Sequence, residues 1–269
     1  MGSQIEFTKV VIALLFAGIL TGCDKNFFDG LGDPNTEAAL LIEAQKSMNA
    51  RDYDAALVAL QTLPLATQAR RDVVVQMASA HSGKCGMEML SMVESLADAS
   101  TDSILGLLFE AFPKSALEQT VSCQIAENLL RGIGDETVRS VSENLLVAFN
   151  ALAEIGTTLS TVADTDADGV VDSGLDHCDT STISDDQVDQ IGGAIALTLN
   201  SFLGIGEDFA DVQDIKDQCD TFPGFSRICT LEDGGFDPLE LKAIRAFIGS
   251  TDMGLGSCGN MASASCLCP

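Results

Sequence analysis

The chain is poor in aromatic residues, in histidine and in positive charge. It has no Trp, one Tyr and two His, and 14 Lys and Arg residues stand against 40 Asp and Glu. The net charge of −26 repels phosphate backbones and anionic headgroups, which argues against nucleic acid as a partner. With only His81 and His177 as imidazole bases, and neither in a nucleophile motif, a hydrolytic triad is not expected. We therefore predict no catalytic residue.

Strand-like alternation of apolar and polar residues is also nearly absent. Apolar residues recur instead at helical spacing, glycine and proline separate the segments, and a hydrophobic content of 46% is ample for a packed core. The sequence thus predicts an all-α protein of antiparallel helical hairpins or a bundle. The predicted helices are 37–48, 52–63, 66–80, 86–96, 103–110, 114–131, 135–155, 184–203, 207–217 and 238–248.

The first 22 residues have the pattern of a secretory signal peptide. Lys9 leads into an apolar run, 10–20, which is shorter than the roughly 20 residues needed to span a bilayer. The run ends in Leu20-Thr21-Gly22-Cys23. This tetrapeptide resembles the lipobox of bacterial lipoproteins. The resemblance implies cleavage before Cys23 and a diacylglyceryl group on the Cys23 sulfur.

The lipobox implies a protein anchored by lipid in a bacterial cell envelope. Two or more acyl chains make such an anchor stable, whereas one holds a protein only marginally. Residues 23–35, with Gly30, Gly32 and Pro34, suit a flexible tether. Asp24 is typical of inner-membrane lipoproteins in enteric bacteria, a rule that does not extend to all bacteria. We favour the outer membrane and keep the inner membrane as the alternative.

The first predicted helix pair resembles a tetratricopeptide repeat. Its small, aromatic, small and proline positions are occupied by Ala44, Tyr53, Ala56 and Pro64. The resemblance implies that the tyrosine wedges between two antiparallel helices and that the proline ends the second. The pattern decays one period later, so ordinary bundle helices are the alternative. Residues 76–96 also resemble a segment of uncharacterised bacterial lipoproteins, which brings no known chemistry.

Nine cysteines are present, and eight remain when Cys23 is assigned to lipid. An even number in an exported protein predicts disulfides. We favour Cys85 with Cys123, because both lie on predicted helices of one half, and we expect the last five cysteines to staple the C-terminal half. Zinc is the rival, but 266–268 lacks the two-residue spacer of zinc motifs. The disulfide candidates are Cys85, Cys123, Cys178, Cys219, Cys229, Cys258, Cys266 and Cys268.

The strongest ligand-binding signal is the acidic stretch 164–172. Carboxylates at alternate positions can surround a calcium ion, and Gly169 at the sixth position allows the sharp turn. The stretch resembles EF-hand loops and the calcium repeats of thrombospondin type 3, although Leu175 replaces the EF-hand glutamate and Asp176 follows one residue late. A solvated acidic loop is the alternative. The predicted calcium ligands are Asp164, Asp166, Asp168, the Val170 carbonyl, Asp172 and Asp176.

These patterns together predict a lipid-anchored, non-enzymatic envelope protein. We expect a helical interaction or scaffold module for another envelope protein, with a structural calcium site. An enzyme acting on cell-wall glycan or peptide is the second hypothesis, and it requires a cleft with converging acidic groups. A lipid or small-molecule carrier is the third. The predicted regions are 1–22 signal peptide, 23–35 tether, 36–163 helical repeats, 164–183 calcium loop and 184–269 cysteine-rich helices, with 36–269 as one domain in the alternative.

Overall fold

The computed structural model describes residues 35–87, 104–112, 115–168, 170–205, 227–251, 254–256, 258 and 268. Over these ranges the chain forms nine helices and no strand, so the predicted all-α class is confirmed. The helices are α1 Glu37–Asn49, α2 Tyr53–Thr62, α3 Leu65–Gln68, α4 Arg71–Lys84, α5 Ile104–Ala111, α6 Leu117–Arg131, α7 Val141–Ala163, α8 Asp185–Gly204 and α9 Pro238–Ile248. Outside the described residues lie the signal peptide, Cys23, Asp24, Gly169, Cys219, Cys266, nearly all of the predicted helix 86–96 and all of 207–217.

Polar caps fix the first residue of several helices. The Thr36 hydroxyl accepts a backbone N–H of α1, and the Asp52 carboxylate does the same for α2. At α9, Asp237 accepts two backbone N–H groups, and Glu240 accepts the Asp237 N–H at 2.7 Å. This reciprocal capping box, followed by Pro238 at the first helical position, confirms the predicted start of α9.

The predicted helix 66–80 is wrong in its bounds. The chain forms a short α3 that ends at Gln68, and α4 begins at Arg71 after the extended Arg70. Helix α4 continues past the predicted end at residue 80, through Gly83, to Lys84. The ring of Tyr53 lies where a side chain on residue 83 would stand, so Gly83 provides close packing rather than a helix end.

The predicted helix 135–155 is also shifted. Asp135 caps a separate turn by accepting the N–H of Val138 at 3.1 Å. Helix α7 starts at Val141 instead, because Ser140 and Glu143 form a capping box there. It runs on to residue 163 because its last two turns are buried among the other helices.

Helix α7 is the centre of the core. It packs against α4, α5, α6 and α8. The largest apolar cluster draws residues from α4 to α9, including Leu108, Leu130, Leu159, Ile191 and Ile244. Helix α7 is long and apolar enough to cross a membrane by length and composition, but 72% of its most apolar window is buried inside the protein. Its apolar character is therefore explained by core packing.

The N-terminal helices form a smaller packed group. Ala44 and Ala56 are fully buried, and α1 packs on α2, which packs on α4. The Tyr53 ring lies against Gly83 of α4, so the tyrosine contacts the helix that follows the pair. Helix α2 ends at Thr62, two residues before Pro64.

A disulfide between Cys85 and Cys123 confirms the predicted pairing. The two Cα atoms are 5.0 Å apart, within the normal range for a disulfide, and both residues are fully buried. The bond joins the C-terminal end of α4 to α6. It thereby ties the N-terminal helices to the main core.

A second disulfide joins Cys178 to Cys268, with Cα atoms 5.1 Å apart. Cys229 and Cys258 are each also part of a disulfide. His177 lies close enough to Cys178 and Cys268 to complete a three-ligand metal group by distance alone. Because the two sulfurs are bonded to each other, this group is a disulfide and not a zinc site.

Candidate functional site

The acidic loop follows α7 directly. Asp164 is buried at 4% exposure. Asp164, Asp166 and Asp172 each place a carboxylate oxygen within 4.8 Å of the other two. Calcium–oxygen bonds of about 2.3–2.6 Å put the ligands of one ion up to about 5 Å apart. The three carboxylates therefore have a spacing that suits a single divalent cation.

The other two predicted carboxylate ligands, Asp168 and Asp176, lie outside this triad and accept backbone hydrogen bonds. Asp168 accepts the N–H of Val170 at 2.8 Å, and its own N–H donates to Asp164 at 2.9 Å. Asp176 accepts the N–H of Cys178 at 2.9 Å. The structure thus brings together three of the six predicted ligands and places the remaining carboxylates in turns beside them.

The surroundings shift the pKa values of two carboxyl groups of this loop in opposite directions. The negative charge of Asp168 raises the pKa of Asp166. Hydrogen bonds from Thr165, including one from its hydroxyl at 2.6 Å, lower the pKa of Asp172 and orient its carboxylate. A bound cation would reduce the repulsion between Asp166 and Asp168.

A second candidate site is a cavity of about 210 Å³ beside α6, α7 and α8. Among the described residues, five carboxyl groups line it, together with one basic side chain, Arg131. The acidic lining residues are Glu127 of α6, Glu154 of α7, Asp189 of α8, and Glu232 and Asp233 from the loop before α9. No residue of this cavity was predicted as a site residue from the sequence.

Glu127 and Glu154 are a buried carboxyl pair in this cavity, at 8% and 5% exposure. Burial raises the pKa of both, and the charge of Glu127 raises the pKa of Glu154 further, well above its ordinary value. The carboxyl groups of Glu154 and Glu127 are hydrogen-bonded to each other. With both groups ionised, neither could donate this bond, and the Oε2 atom of Glu127 would have no partner. Because carboxylates only accept hydrogen bonds, a proton held by Glu154 resolves this conflict. The pair therefore retains a proton at a pH where ordinary carboxyl groups have lost theirs.

Arg131 connects the buried pair to the rim of the cavity. Its Nη1 atom is 3.6 Å from Glu127 Oε1, and its Nη2 atom pairs with Asp233. Gln124 donates to Glu154 at 3.2 Å. The buried carboxyl groups thus have one amide and one distant guanidinium as neighbouring donors.

The loop that closes the cavity is held down by α8. Asp189 accepts the N–H of Gly235 and of Phe236, each at 2.8 Å. A side chain at Gly193 would meet the Glu232 carbonyl at 2.9 Å, so only glycine allows this approach. Gly235 has φ +80°, a conformation that glycine adopts readily. These contacts place the two acidic loop residues over the buried pair.

A neutral cavity of about 290 Å³ adjoins the acidic one, and Gln124 and Gln190 line both. Its wall includes the hydroxyl groups of Thr120 and Thr158. These residues are 4% and 2% exposed, and neither hydroxyl has a hydrogen-bond partner. The combined space offers hydrogen-bonding groups in one half and negative charge in the other.

One signal in the sequence points to the buried pair. Helix α7 contains two charged residues among its 23, and Glu154 lies in its apolar middle. Charged side chains are almost never fully buried unless they are paired. A carboxyl group at such a position is therefore a reason to look for a partner on a neighbouring helix.

Comparison with known proteins gives no relative. No protein-family model matches the chain, and no curated protein or solved structure is significantly similar to it. Functional conclusions therefore rest on the residues and on their geometry.

Proposed function

We propose that this protein is a lipid-anchored, non-enzymatic component of a bacterial cell envelope that acts as a helical interaction or scaffold module. The observation that carries the proposal is Cys23, which ends the Leu20-Thr21-Gly22-Cys23 motif after a short apolar run. The disulfides add support, because such bonds persist in oxidising compartments and are rare in the cytosol.

An exposed apolar row on α6 supports a protein partner. Leu117, Val121 and Ile125 follow one another at every fourth position and are 64%, 43% and 39% exposed. Residues at this spacing share one face of a helix, and contiguous exposed apolar surface marks interaction sites. We propose this row as the contact for an envelope protein.

A structural calcium ion is the second part of the proposal. Asp164, Asp166 and Asp172 have suitable spacing, and they lie between α7 and the loop that the Cys178–Cys268 bond fixes. An ion there would hold the turn that leads from α7 toward α8. Exported compartments contain enough calcium to fill even a weak site.

The anchor is tested by the intact mass of protein extracted from membranes. We expect the wild-type chain to lack residues 1–22 and to carry acyl groups, and Cys23→Ser to keep the signal peptide and lose the lipid. Asn26→Ser, a change in the same segment outside the motif, serves as the control. A native chain that is uncleaved, unacylated and cytosolic contradicts the proposal.

The partner contact is tested by crosslinking in intact envelopes. A photoreactive residue at Val121 should capture one defined envelope protein, whereas the same residue at the exposed Val58 of α2 should not. Equal or absent capture at both positions argues against the α6 row as a docking face.

An enzyme acting on cell-wall peptide is the second candidate function, and the Glu127–Glu154 pair favours it. Two carboxyl groups that share a proton can act as acid and base toward an amide. A hydrogen-bonded pair is closer than the roughly 5 Å or more between the carboxyl groups of glycosidases, so peptide suits it better than glycan. Hydrolysis of muropeptides by wild type but not by Glu154→Gln would support this candidate, and no turnover by wild type would contradict it.

A further inference from the structure

The acidic cavity has an excess of negative charge that its own residues do not balance. Among the described lining residues, five carboxyl groups face one guanidinium, that of Arg131, which is already shared between Glu127 and Asp233. Asp189 and Glu232 have neutral donors, from the loop backbone and from Asn200, and Glu232 is also attracted by the buried guanidinium of Arg139 outside the lining. Two guanidinium groups therefore balance only part of the negative charge of the five carboxyl groups.

A buried acceptor in this cavity points to the need for a further donor. Glu127 is more than nine-tenths buried and lines the cavity, and no N–H group of the described residues donates to its Oε2 atom, so only a proton held by Glu154 satisfies it. A buried charged group that lacks hydrogen-bond donors carries a desolvation penalty that a bound donor would offset. A cation with N–H groups would satisfy Glu127 and Glu154 together.

The spacing of the carboxyl groups favours an organic cation over a metal ion. Among the described residues, three ligand atoms within 4.8 Å occur in the Asp164 loop and at the Cys178–Cys268 bond, but not in this cavity. A volume of about 210 Å³ exceeds the roughly 30 Å³ that one water occupies in the liquid. The cavity therefore has room for an ammonium group with a short carbon stem.

We propose that this cavity binds a primary ammonium group, with Glu127 and Glu154 accepting its N–H donors. The amine belongs either to a free small molecule or to a lysine side chain. The adjoining neutral cavity, with the unpartnered hydroxyls of Thr120 and Thr158, takes the uncharged part of the ligand.

Calorimetric titration of the full membrane-extracted protein tests the proposal. The probes are 1,5-diaminopentane and the N-terminally acetylated peptide Gly-Lys-Gly, and the controls are 1,5-pentanediol and the same N-terminally acetylated peptide with its lysine side chain also acetylated. We expect wild type to bind at least one amine and neither control. Binding of the diamine alone identifies a free amine, and binding of the peptide identifies a lysine side chain. No binding of either amine by folded wild type overturns the proposal.

Three variants assign the binding to this cavity. Glu127→Gln keeps the side-chain volume and should weaken binding about tenfold or more, because it replaces a charged acceptor. Glu118→Gln, on the exposed surface of the same helix, should leave binding unchanged. Arg131→Gln removes the competing cation and should tighten binding, a gain that misfolding cannot produce. Unchanged affinity in both Glu127→Gln and Arg131→Gln overturns the assignment.

Discussion

Arg71 and Glu143 lie 72 residues apart in the chain and form a two-point ion pair. The guanidinium donates from Nε at 2.7 Å and from Nη2 at 2.5 Å to the two carboxylate oxygens. Glu143 also accepts the Ser140 N–H at 2.6 Å as part of the α7 capping box. One carboxylate thus starts the central helix and fastens α4 to it.

This pair predicts an acid-sensitive contribution to stability. The hydrogen bond from Arg71 lowers the pKa of Glu143 to about 2 from its ordinary 4.5. A lowered pKa stabilises the fold fully above about pH 4.5, and this stabilisation is lost as the pH falls toward 2. Because the Arg71 side chain is 49% exposed, we expect Glu143→Gln to cost about 1–2 kcal/mol at pH 6. Urea unfolding should show the difference shrinking toward pH 2, and a pH-independent difference would contradict this origin.

The Glu127–Glu154 pair predicts the opposite pH dependence. Burial raises the pKa of Glu154, so its contribution is fully present below about pH 4.5 and is lost as the pH rises through the raised value. Glu154→Gln stays neutral and should be more stable than wild type at pH 8, because it removes the cost of ionising a buried carboxyl group. The charged groups facing the pair are Arg131, Asp189, Glu232 and Asp233. A variant that is less stable than wild type at pH 8 in urea unfolding contradicts the buried-charge account.

The Cys85–Cys123 bond predicts a large loss of stability when it is removed. It closes a loop of 38 residues, for which chain entropy gives about 4 kcal/mol. The double variant Cys85→Ala and Cys123→Ala should lose about that amount in denaturant unfolding. Equal stability of the double variant and of the wild type, both measured without reductant, would refute the estimate.

Calcium binding predicts a thermal shift. At calcium concentrations 100-fold above Kd, binding adds about 2.7 kcal/mol, or about 5 °C or more in Tm for a chain of this size. The triple variant Asp164→Asn, Asp166→Asn and Asp172→Asn should lose the shift. Glu37→Gln, Glu43→Gln and Glu118→Gln remove the same charge elsewhere and should keep it. A wild-type Tm that is the same with calcium and with chelator argues against the site.

Gly156 predicts a packing penalty in the middle of α7. A Cβ atom there would lie 2.5 Å from the Phe112 ring and 2.7 Å from the Leu108 carbonyl oxygen. We expect Gly156→Ala to destabilise the protein by about 1–3 kcal/mol, although alanine favours helices. Gly174→Ala, where no atom lies within 4 Å, should be close to neutral. Equal thermal unfolding of the two variants would show that α5 and α7 adjust freely.

The starts of α1 and α9 were predicted correctly because caps are local, whereas the start of α7 was missed although its Ser140–Glu143 capping box is equally local. Thr36, Asp52 and Asp237 act on backbone groups two or three residues away, so the signal and its effect lie in the same short segment. The extension of α7 beyond residue 155 depends on contacts with other helices. Gly156 reads as a helix breaker in isolation, yet it is the point where α5 approaches most closely.

The two candidate sites also differ in whether their residues are neighbours in the chain or are brought together by packing. The Asp164 loop is visible in the sequence because its carboxylates are neighbours in the chain. Glu127 and Glu154 belong to different helices, and only the packing of α6 on α7 brings them together. The apolar surroundings of Glu154 in α7 mark it as unusual, but with 40 acidic residues in the chain the sequence gives no means of selecting Glu127 as its partner.

The Cys178–Cys268 bond spans 90 residues, and both α8 and α9 lie within the segment it encloses. A protease that makes a single cut in this segment leaves two pieces that are still covalently joined. The pieces would part on a gel only after treatment with a thiol reductant. Degradation of this half of the molecule therefore requires either a second cut or prior reduction.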